Sequence, residues 1–353
     1  MRRRTLKEEI PEDKDKANEN ELIPSNNLNF LVKISLVLLL IIILMLSSLL
    51  FSSVKITNKP SQKLKSDILI INSNSTKKSN YKNYEQESCG VSYYENSIPL
   101  LRIINGIDAN PHSQPWIISL RTVSSPGYLS SHICGGSLIS DQHVLTAAHC
   151  VTDLTPETAA VLVGLHNLDS ITKDNYYPVE SISIHEEYTG SSSNYIANDI
   201  AVIKLSNPIE RSDKVQTICL PNSDESIVDN DLIASGWGNI NDGFESQLPE
   251  NLQTTKLRVI NGDPVCDEIG DWDINTVLCT IQPGENPFSN VCFGDSGGPL
   301  TKQNNGLWTL YGVTSYVMVE SDDQGRYKCK ANKPSFYTNV AKFTDWIHDK
   351  MQL

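Results

Sequence analysis

The chain has 353 residues, enough by length for one large or two medium domains. It is 39% hydrophobic and 20% charged, so most of it can bury a core rather than stay disordered. The net charge of −13 is uneven: residues 1–102 hold 15 Lys/Arg against 11 Asp/Glu, and residues 103–353 hold 14 against 31. A C-terminal body this acidic argues against nucleic acid as a partner, because binding the phosphate backbone requires Lys and Arg in excess.

In chain order, residues 1–29 are mostly polar and are expected to form a cytoplasmic tail. Ile34 to Phe51 is an 18-residue run without a charge, extended by Phe30, Leu31 and Val32 past Lys33, whose long stem allows it to snorkel. Residues 30–51 are therefore expected to be a transmembrane signal-anchor. A cleaved signal peptide fits less well: the polar region before the run is too long, and Leu49, Leu50 and Phe51 spoil every small-residue cleavage pair. Flanking charge is nearly neutral on orientation, with Lys14, Lys16 and Lys33 on one side and Lys55, Lys59, Lys63 and Lys65 on the other. The cysteines decide it. All eight lie at or beyond Cys89, none forms a Cys-x-x-Cys, and an even count at wide spacing fits four disulfides in an oxidising compartment. The C-terminal side is expected to be extracellular or luminal, as in a single-pass type II membrane protein.

Residues 52–102 are expected to form a stem and pro-segment, Ser/Asn/Lys-rich as far as residue 88, with Asn74-Ser75-Thr76 as a glycosylation sequon. From Ile103 short apolar runs such as Trp116–Leu120, Ala160–Val163, Ile200–Leu205 and Leu307–Val313 alternate with Gly/Pro/Asn/Ser turns. That texture predicts an all-β barrel or sandwich. Only Val340–Met351 has helical spacing, with Val340, Phe343, Trp346, Ile347 and Met351 on one face.

Three strings carry chemistry: Leu145-Thr146-Ala147-Ala148-His149-Cys150, Asn198-Asp199-Ile200-Ala201-Val202 and Gly294-Asp295-Ser296-Gly297-Gly298-Pro299. A serine hydroxyl is a weak nucleophile until a base within hydrogen-bond reach takes its proton, and that base must be held in one tautomer. Ser296, His149 and Asp199 supply those parts. Each string alone has an ordinary structural explanation; together they point to catalysis. Gly-Asp-Ser-Gly-Gly also fits the nucleophile elbow of α/β-hydrolases, but only His348 follows Ser296, and no alternation of helix and strand precedes it.

On these motifs residues 103–353 resemble a chymotrypsin/trypsin-family serine endopeptidase, and with the anchor a type II transmembrane serine protease with a minimal stem. The resemblance implies two packed six-stranded antiparallel β-barrels with a C-terminal helix. It implies an oxyanion hole from the backbone N–H groups of Gly294 and Ser296. It implies zymogen activation by cleavage after Arg102, the new Ile103 ammonium pairing with Asp295. It selects the bridges Cys134–Cys150, Cys266–Cys279, Cys292–Cys329 and Cys89–Cys219, the last tying pro-segment to catalytic domain. A further common bridge is missing at both ends, where Leu232 and Lys302 stand.

Specificity departs from the trypsin-like pattern. The pocket floor is expected at Asn290, where trypsin-like members carry Asp; Ser315 fits the substrate-binding strand, and Val317 and Ser335 stand where Gly is usual. The pocket is thus expected to favour small or medium apolar side chains over basic ones, with Glu320, Asp322 and Asp323 in the long Val317–Lys328 stretch as the residues able to reverse this. After Gly164 the calcium ligands of trypsin-like members are replaced, with Leu165 at the first position and Thr172, Lys173 and Asn175 further on. No metal or organic cofactor is expected; His143, His149, His166 and His185 match no zinc spacing. Expected partners are protein or peptide substrates and an activating trypsin-like protease, the chain itself acting as a monomer. The competing class is a non-catalytic protease homologue serving as an extracellular binding module.

Overall fold

The computed structural model describes residues 89–94, 107–124, 128–190, 195–241, 243–284 and 289–352. The expected tail, anchor, most of the stem with Asn74, and Arg102 and Ile103 lie outside the described residues. Among the described residues no helix is long and apolar enough to cross a membrane.

Among the described residues the chain forms sixteen strands, the apolar runs among them. A short first strand, β1 (Ile107–Asp108), precedes β2 (Ile117–Ser124), β3 (Tyr128–Leu129), β4 (Cys134–Leu138), β5 (His143–Thr146), β6 (Ala159–Val163), β7 (Tyr176–Ile184) and β8 (Ala201–Leu205). The order β2-β4-β5-β8-β7-β6 closes because β6 also pairs with β2, and β3 hangs on the outer edge of β2. The second set is β9 (Asp231–Gly236), β10 (Gln253–Val259), β11 (Val277–Ile281), β12 (Pro299–Asn304), β13 (Leu307–Val317), β14 (Val319–Ser321), β15 (Tyr327–Cys329) and β16 (Ser335–Asn339). Here β9-β10-β11-β16-β13-β12 closes through β9 with β12, and β1 pairs with β10. Closure leaves each barrel without an unpaired edge, which is how many short antiparallel strands satisfy their backbone groups. These are the two six-stranded antiparallel barrels expected.

Inward-facing side chains fill each barrel. Ile118, Leu120, Leu138, Val144 and Val161 are fully buried in the first; Leu232, Leu257, Leu300, Tyr311 and Tyr337 are fully buried in the second. Trp116 and Trp308 meet with their rings tilted by 40° and their centres 5.9 Å apart, and they carry the first core across to β13. The register of β9 and β12, with Leu300 opposite Ala234 and Thr301 opposite Ile233, runs on toward Leu232 and Lys302, so the two positions lacking the extra bridge are neighbours.

The C-terminal segment is not one helix. Val340–Lys342 forms a tight turn in which Phe343 N–H donates to the Val340 carbonyl at 3.0 Å, and Phe343, at φ −118°, interrupts the helical run before α1 (Thr344–Met351). Val340, Phe343 and Ile347 still share a buried face against the first barrel, so the apolar spacing predicted the packing and not the backbone. The Val317–Lys328 stretch is not an irregular loop: β14 and β15 make a hairpin with Glu320 opposite Lys328.

Candidate active site

Three loops meet between the barrels. His149 sits on the single tight turn Ala148–Cys150 after β5, braced by the Cys134–Cys150 bridge to β4. Asp199 immediately precedes Ile200 and β8; Asn198 before it adopts φ 54°, a left-handed conformation that short polar side chains tolerate. Ser296 lies on the turn leading into β12, and its carbonyl accepts the β4 amide of Gly135 at 2.7 Å, tying this turn to the first barrel.

Asp199 is 5% exposed and fully engaged. Its Oδ1 accepts the His149 backbone N–H at 2.9 Å, and its Oδ2 accepts both His149 Nδ1–H at 2.7 Å and the Ser315 hydroxyl at 2.7 Å. Thr338 Oγ1 holds the Asp199 carbonyl at 2.7 Å. A carboxylate only accepts, so the proton on Nδ1 is fixed and Nε2 is left basic. Burial opposes the charged imidazole, but the charge and hydrogen bond of Asp199 outweigh it, and the His149 pKa is raised. Asp199, His149 and Ser296 line one cavity of about 480 Å³.

The turn carrying Ser296 is held at several points. Asp295 N–H donates to the Cys292 carbonyl at 3.0 Å and Gly297 N–H to the Thr314 carbonyl at 2.8 Å. Gly294 adopts φ +102°, open to glycine but strained for any other residue. The Asp295 side chain is sunk beside it, accepting Gly238 N–H at 2.7 Å and Cys292 N–H at 2.8 Å. A Cβ at Gly236 or Gly238 would come within 2.2 Å of the Asp295 carboxylate, so both positions must be glycine to seat it. Burial pushes Asp295 up to about 6 despite its two amide donors.

The cavity walls include Cys292, Phe293, Thr314, Val317 and Val319. Asn290 and Ser335 are not among its lining residues; they are 1% and 0% exposed. Asn290 Nδ2 donates to the Lys333 carbonyl at 2.8 Å and the Lys330 carbonyl at 3.4 Å, while its Oδ1 accepts the Val291 amide at 2.9 Å. Ser335 Oγ bonds Thr280 Oγ1 at 2.9 Å, and Ser335 faces Val317 across the β13–β16 register. The Asn290 amide is therefore spent on protein carbonyls. Two of the three acids of the hairpin are spent too: Glu320 pairs with Lys328 at 2.7 Å and Asp322 with Arg326 at 2.7 Å. The two cations lie over the Phe244 ring, at 5.1 and 5.8 Å from its centre.

All four bridges implied by the resemblance are formed: Cys89–Cys219, Cys134–Cys150, Cys266–Cys279 and Cys292–Cys329. They suit an extracellular domain. Among the described residues the grouping with metal-ligand proximity is Cys134, His149 and Cys150, and its sulfurs are bonded to each other. The segment after Gly164 closes on itself. Leu165 is buried, Asn175 Oδ1 accepts Thr172 N–H at 2.9 Å, and Asn175 Nδ2 donates to the Ser170 carbonyl at 2.8 Å.

No sequence motif marks His132 as a site residue. It is buried against the active-site turn, its Nε2–H donating to the Gly294 carbonyl at 2.8 Å and its Nδ1 bonded to Ser119 Oγ at 2.8 Å. Burial holds it down to about 4, hence neutral. A single His two residues before Cys134 carries no local pattern that would mark it.

The family model described as Trypsin matches residues 103–347. The chain belongs to the trypsin family. Chymotrypsin-C of Mus musculus is 34% identical over 270 residues, covering 75% of this chain and 94% of that protein. Chymotrypsin-C of Bos taurus is 33% identical over 273 residues, with coverage of 75% and 94%, and that of Rattus norvegicus 33% over 258 residues, with 71% and 90%. As a family member with these relatives, the chain is a serine endopeptidase, a hydrolase of peptide bonds.

Proposed function

We propose that Ser296 is the nucleophile, His149 its base and then acid, and Asp199 the group that orients and stabilises the imidazole. The observation that carries this is the 2.7 Å bond from His149 Nδ1 to Asp199 Oδ2 in the cavity that Ser296 also lines. Ser296 Oγ attacks the scissile carbonyl carbon while its proton passes to His149 Nε2. The oxyanion is met by the N–H groups of Gly294 and Ser296, donors that matter most when negative charge develops. Collapse of the adduct returns the His149 proton to the leaving amine and leaves an acyl-Ser296 ester. Water, deprotonated by the same imidazole, then hydrolyses the ester.

The reading extends to regulation and preference. The enzyme is a zymogen cut after Arg102 by an outside trypsin-like protease, and the Ile103 ammonium meets the buried Asp295 carboxylate, which burial otherwise drives toward protonation. Residues 30–51 anchor it as a type II membrane protein, glycosylated at Asn74, with 103–353 as a monomeric extracellular catalytic domain. Small or medium apolar side chains are preferred before the scissile bond. Val317 and Val319 wall the cavity, the Asn290 amide is committed to protein carbonyls, and the Glu320 and Asp322 carboxylates are paired within their own hairpin.

Ser296→Ala tests the core of the reading: turnover should fall by roughly 10⁴- to 10⁶-fold with expression and melting unchanged. A fluorophosphonate probe should label wild type and not the variant. A near-normal turnover in the variant, or an unlabelled wild type, overturns the assignment; the second result would favour the non-catalytic homologue.

A further inference from the structure

Arg121, on β2, is 5% exposed and has its guanidinium fixed from three sides. One terminal nitrogen donates to the Leu168 carbonyl at 2.7 Å, the other to the Ser130 carbonyl at 3.3 Å, and Nε–H points to Ser119 Oγ at 3.4 Å. Ser119, fully buried two residues earlier on the same strand, bonds His132 Nδ1 at 2.8 Å, and His132 Nε2 bonds the Gly294 carbonyl at 2.8 Å. Four groups thus form a continuous chain from a buried cation to the backbone beside the nucleophile.

The ends of the chain fix every proton in it. A guanidinium only donates and a carbonyl only accepts. Gly294 therefore requires the hydrogen of His132 on Nε2, which leaves Nδ1 as an acceptor. Ser119 must then give its hydroxyl hydrogen to Nδ1, and its lone pairs face the Arg121 N–H. All the bonds run in one direction, and bonds so aligned polarise one another. Donation into Nδ1 makes the Nε2–H a stronger donor to the Gly294 carbonyl.

We propose that Arg121 is a positioning residue for catalysis, holding the Gly294 peptide in its oxyanion-binding orientation through Ser119 and His132. This rests on the reading of Gly294 as an oxyanion donor. Fixing the Gly294 carbonyl fixes the backbone on both sides of it, and so the direction of its own N–H and that of Ser296. Without the cation the Ser119 hydroxyl is free to turn, His132 loses its partner at Nδ1, and the Gly294 peptide gains freedom. The loss falls on the transition state and not on substrate binding, so kcat drops and KM stays.

The test compares Arg121→Met and Ser119→Ala in the activated full chain, normalised by active-site titration. The second variant leaves the Arg121 bonds to Leu168 and Ser130 in place, so it remains informative if the first folds poorly. Each should lower kcat roughly threefold to tenfold with KM within twofold. The double variant should be no worse than either single one. In histidine-¹⁵N-labelled protein the His132 Nδ1 resonance should move toward that of an unbonded pyridine-type nitrogen in both variants. An unchanged kcat, additive losses in the double variant, or a lower melting temperature with the Nδ1 resonance and kcat unmoved overturns the proposal. A Ser296→Ala enzyme that still turned over would instead break the reading on which it rests, leaving the Nδ1 signature as it was.

Discussion

The Ser315 hydroxyl, on β13 of the second barrel, donates at 2.7 Å to Asp199 Oδ2, the same oxygen that receives His149 Nδ1–H. A residue expected only to bind substrate backbone thus also spreads the negative charge of the carboxylate in the first barrel. Ser315→Ala should leave more of that charge facing His149 and raise its pKa further. The direction for activity follows. His149 acts as a base only when neutral, and its pKa is already raised, so wild-type kcat/KM should fall with acid through a midpoint above the ordinary value of 6.5. In Ser315→Ala the acid limb should shift to still higher pH, with plateau kcat lower by roughly threefold to tenfold. A pH–rate series on both enzymes checks it; an acid limb below pH 6.5 would contradict the raised His149 pKa.

The segment around Cys89 is attached by more than a bridge. Beside Cys89–Cys219, Gly90 N–H donates to the Thr217 carbonyl at 2.8 Å and the Gly90 carbonyl accepts Trp308 N–H at 2.9 Å. Tyr94 OH reaches Asp213 Oδ2 at 2.7 Å. Gly90 adopts φ +72°, and a Cβ there would lie 2.4 Å from the Trp308 carbonyl. Cleavage after Arg102 should therefore give a two-chain enzyme that separates on gels only after reduction. Gly90→Ala should lower the melting temperature, since the backbone cannot both keep its bonds and admit a methyl. Separation of the chains without reductant would show the bridge absent in solution.

The apolar run from Phe30 to Phe51 yields a prediction of its own. Full-length protein should resist carbonate extraction from membranes, and an N-terminal tag should be digested only when the cytosolic face is exposed. A mature N-terminus just after Phe51 would replace the anchor with a cleaved signal peptide.

The all-β texture was legible locally, as short apolar runs between turns, while the two-barrel architecture came only through the family likeness; the strings around His149, Asp199 and Ser296 were legible as motifs, and the fold brings the three residues to one cavity. The bridges were legible only through the family likeness, since eight cysteines alone allow about 105 pairings. What the sequence hid is non-local. Arg121, Ser119, His132 and Gly294 span two barrels, and nothing near any of them announces the others. The break at Phe343 was hidden for a different reason, because a tight turn followed by a helix keeps the same apolar face. The pairing of Glu320 with Lys328 depends on a hairpin register that composition does not reveal.

Substrate preference is the sharpest remaining test, and Asn290, the residue expected beneath the substrate side chain, decides its form. Asn290 donates to the carbonyls of Lys330 and Lys333, so its amide hydrogens are committed and its side chain is buried. A substrate guanidinium arriving above it would leave water with no carboxylate to meet it, a cost of about several kcal/mol. Leu, Val or Met instead gain roughly 25 cal/mol for each Å² of apolar surface covered. Among chromogenic substrates that differ only before the leaving group, kcat/KM should therefore be higher for Leu or Val than for Arg. Asn290→Asp should not make the enzyme trypsin-like. The new carboxylate would face two carbonyl oxygens, lose both donor bonds and lower the melting temperature, with only a small gain toward Arg. Val317→Gly acts at the wall and not the floor: it should raise kcat/KM for Phe relative to Val by about tenfold, by removing the side chain that narrows the cavity. A wild-type enzyme fastest on Arg would overturn the pocket argument while leaving the protease assignment intact.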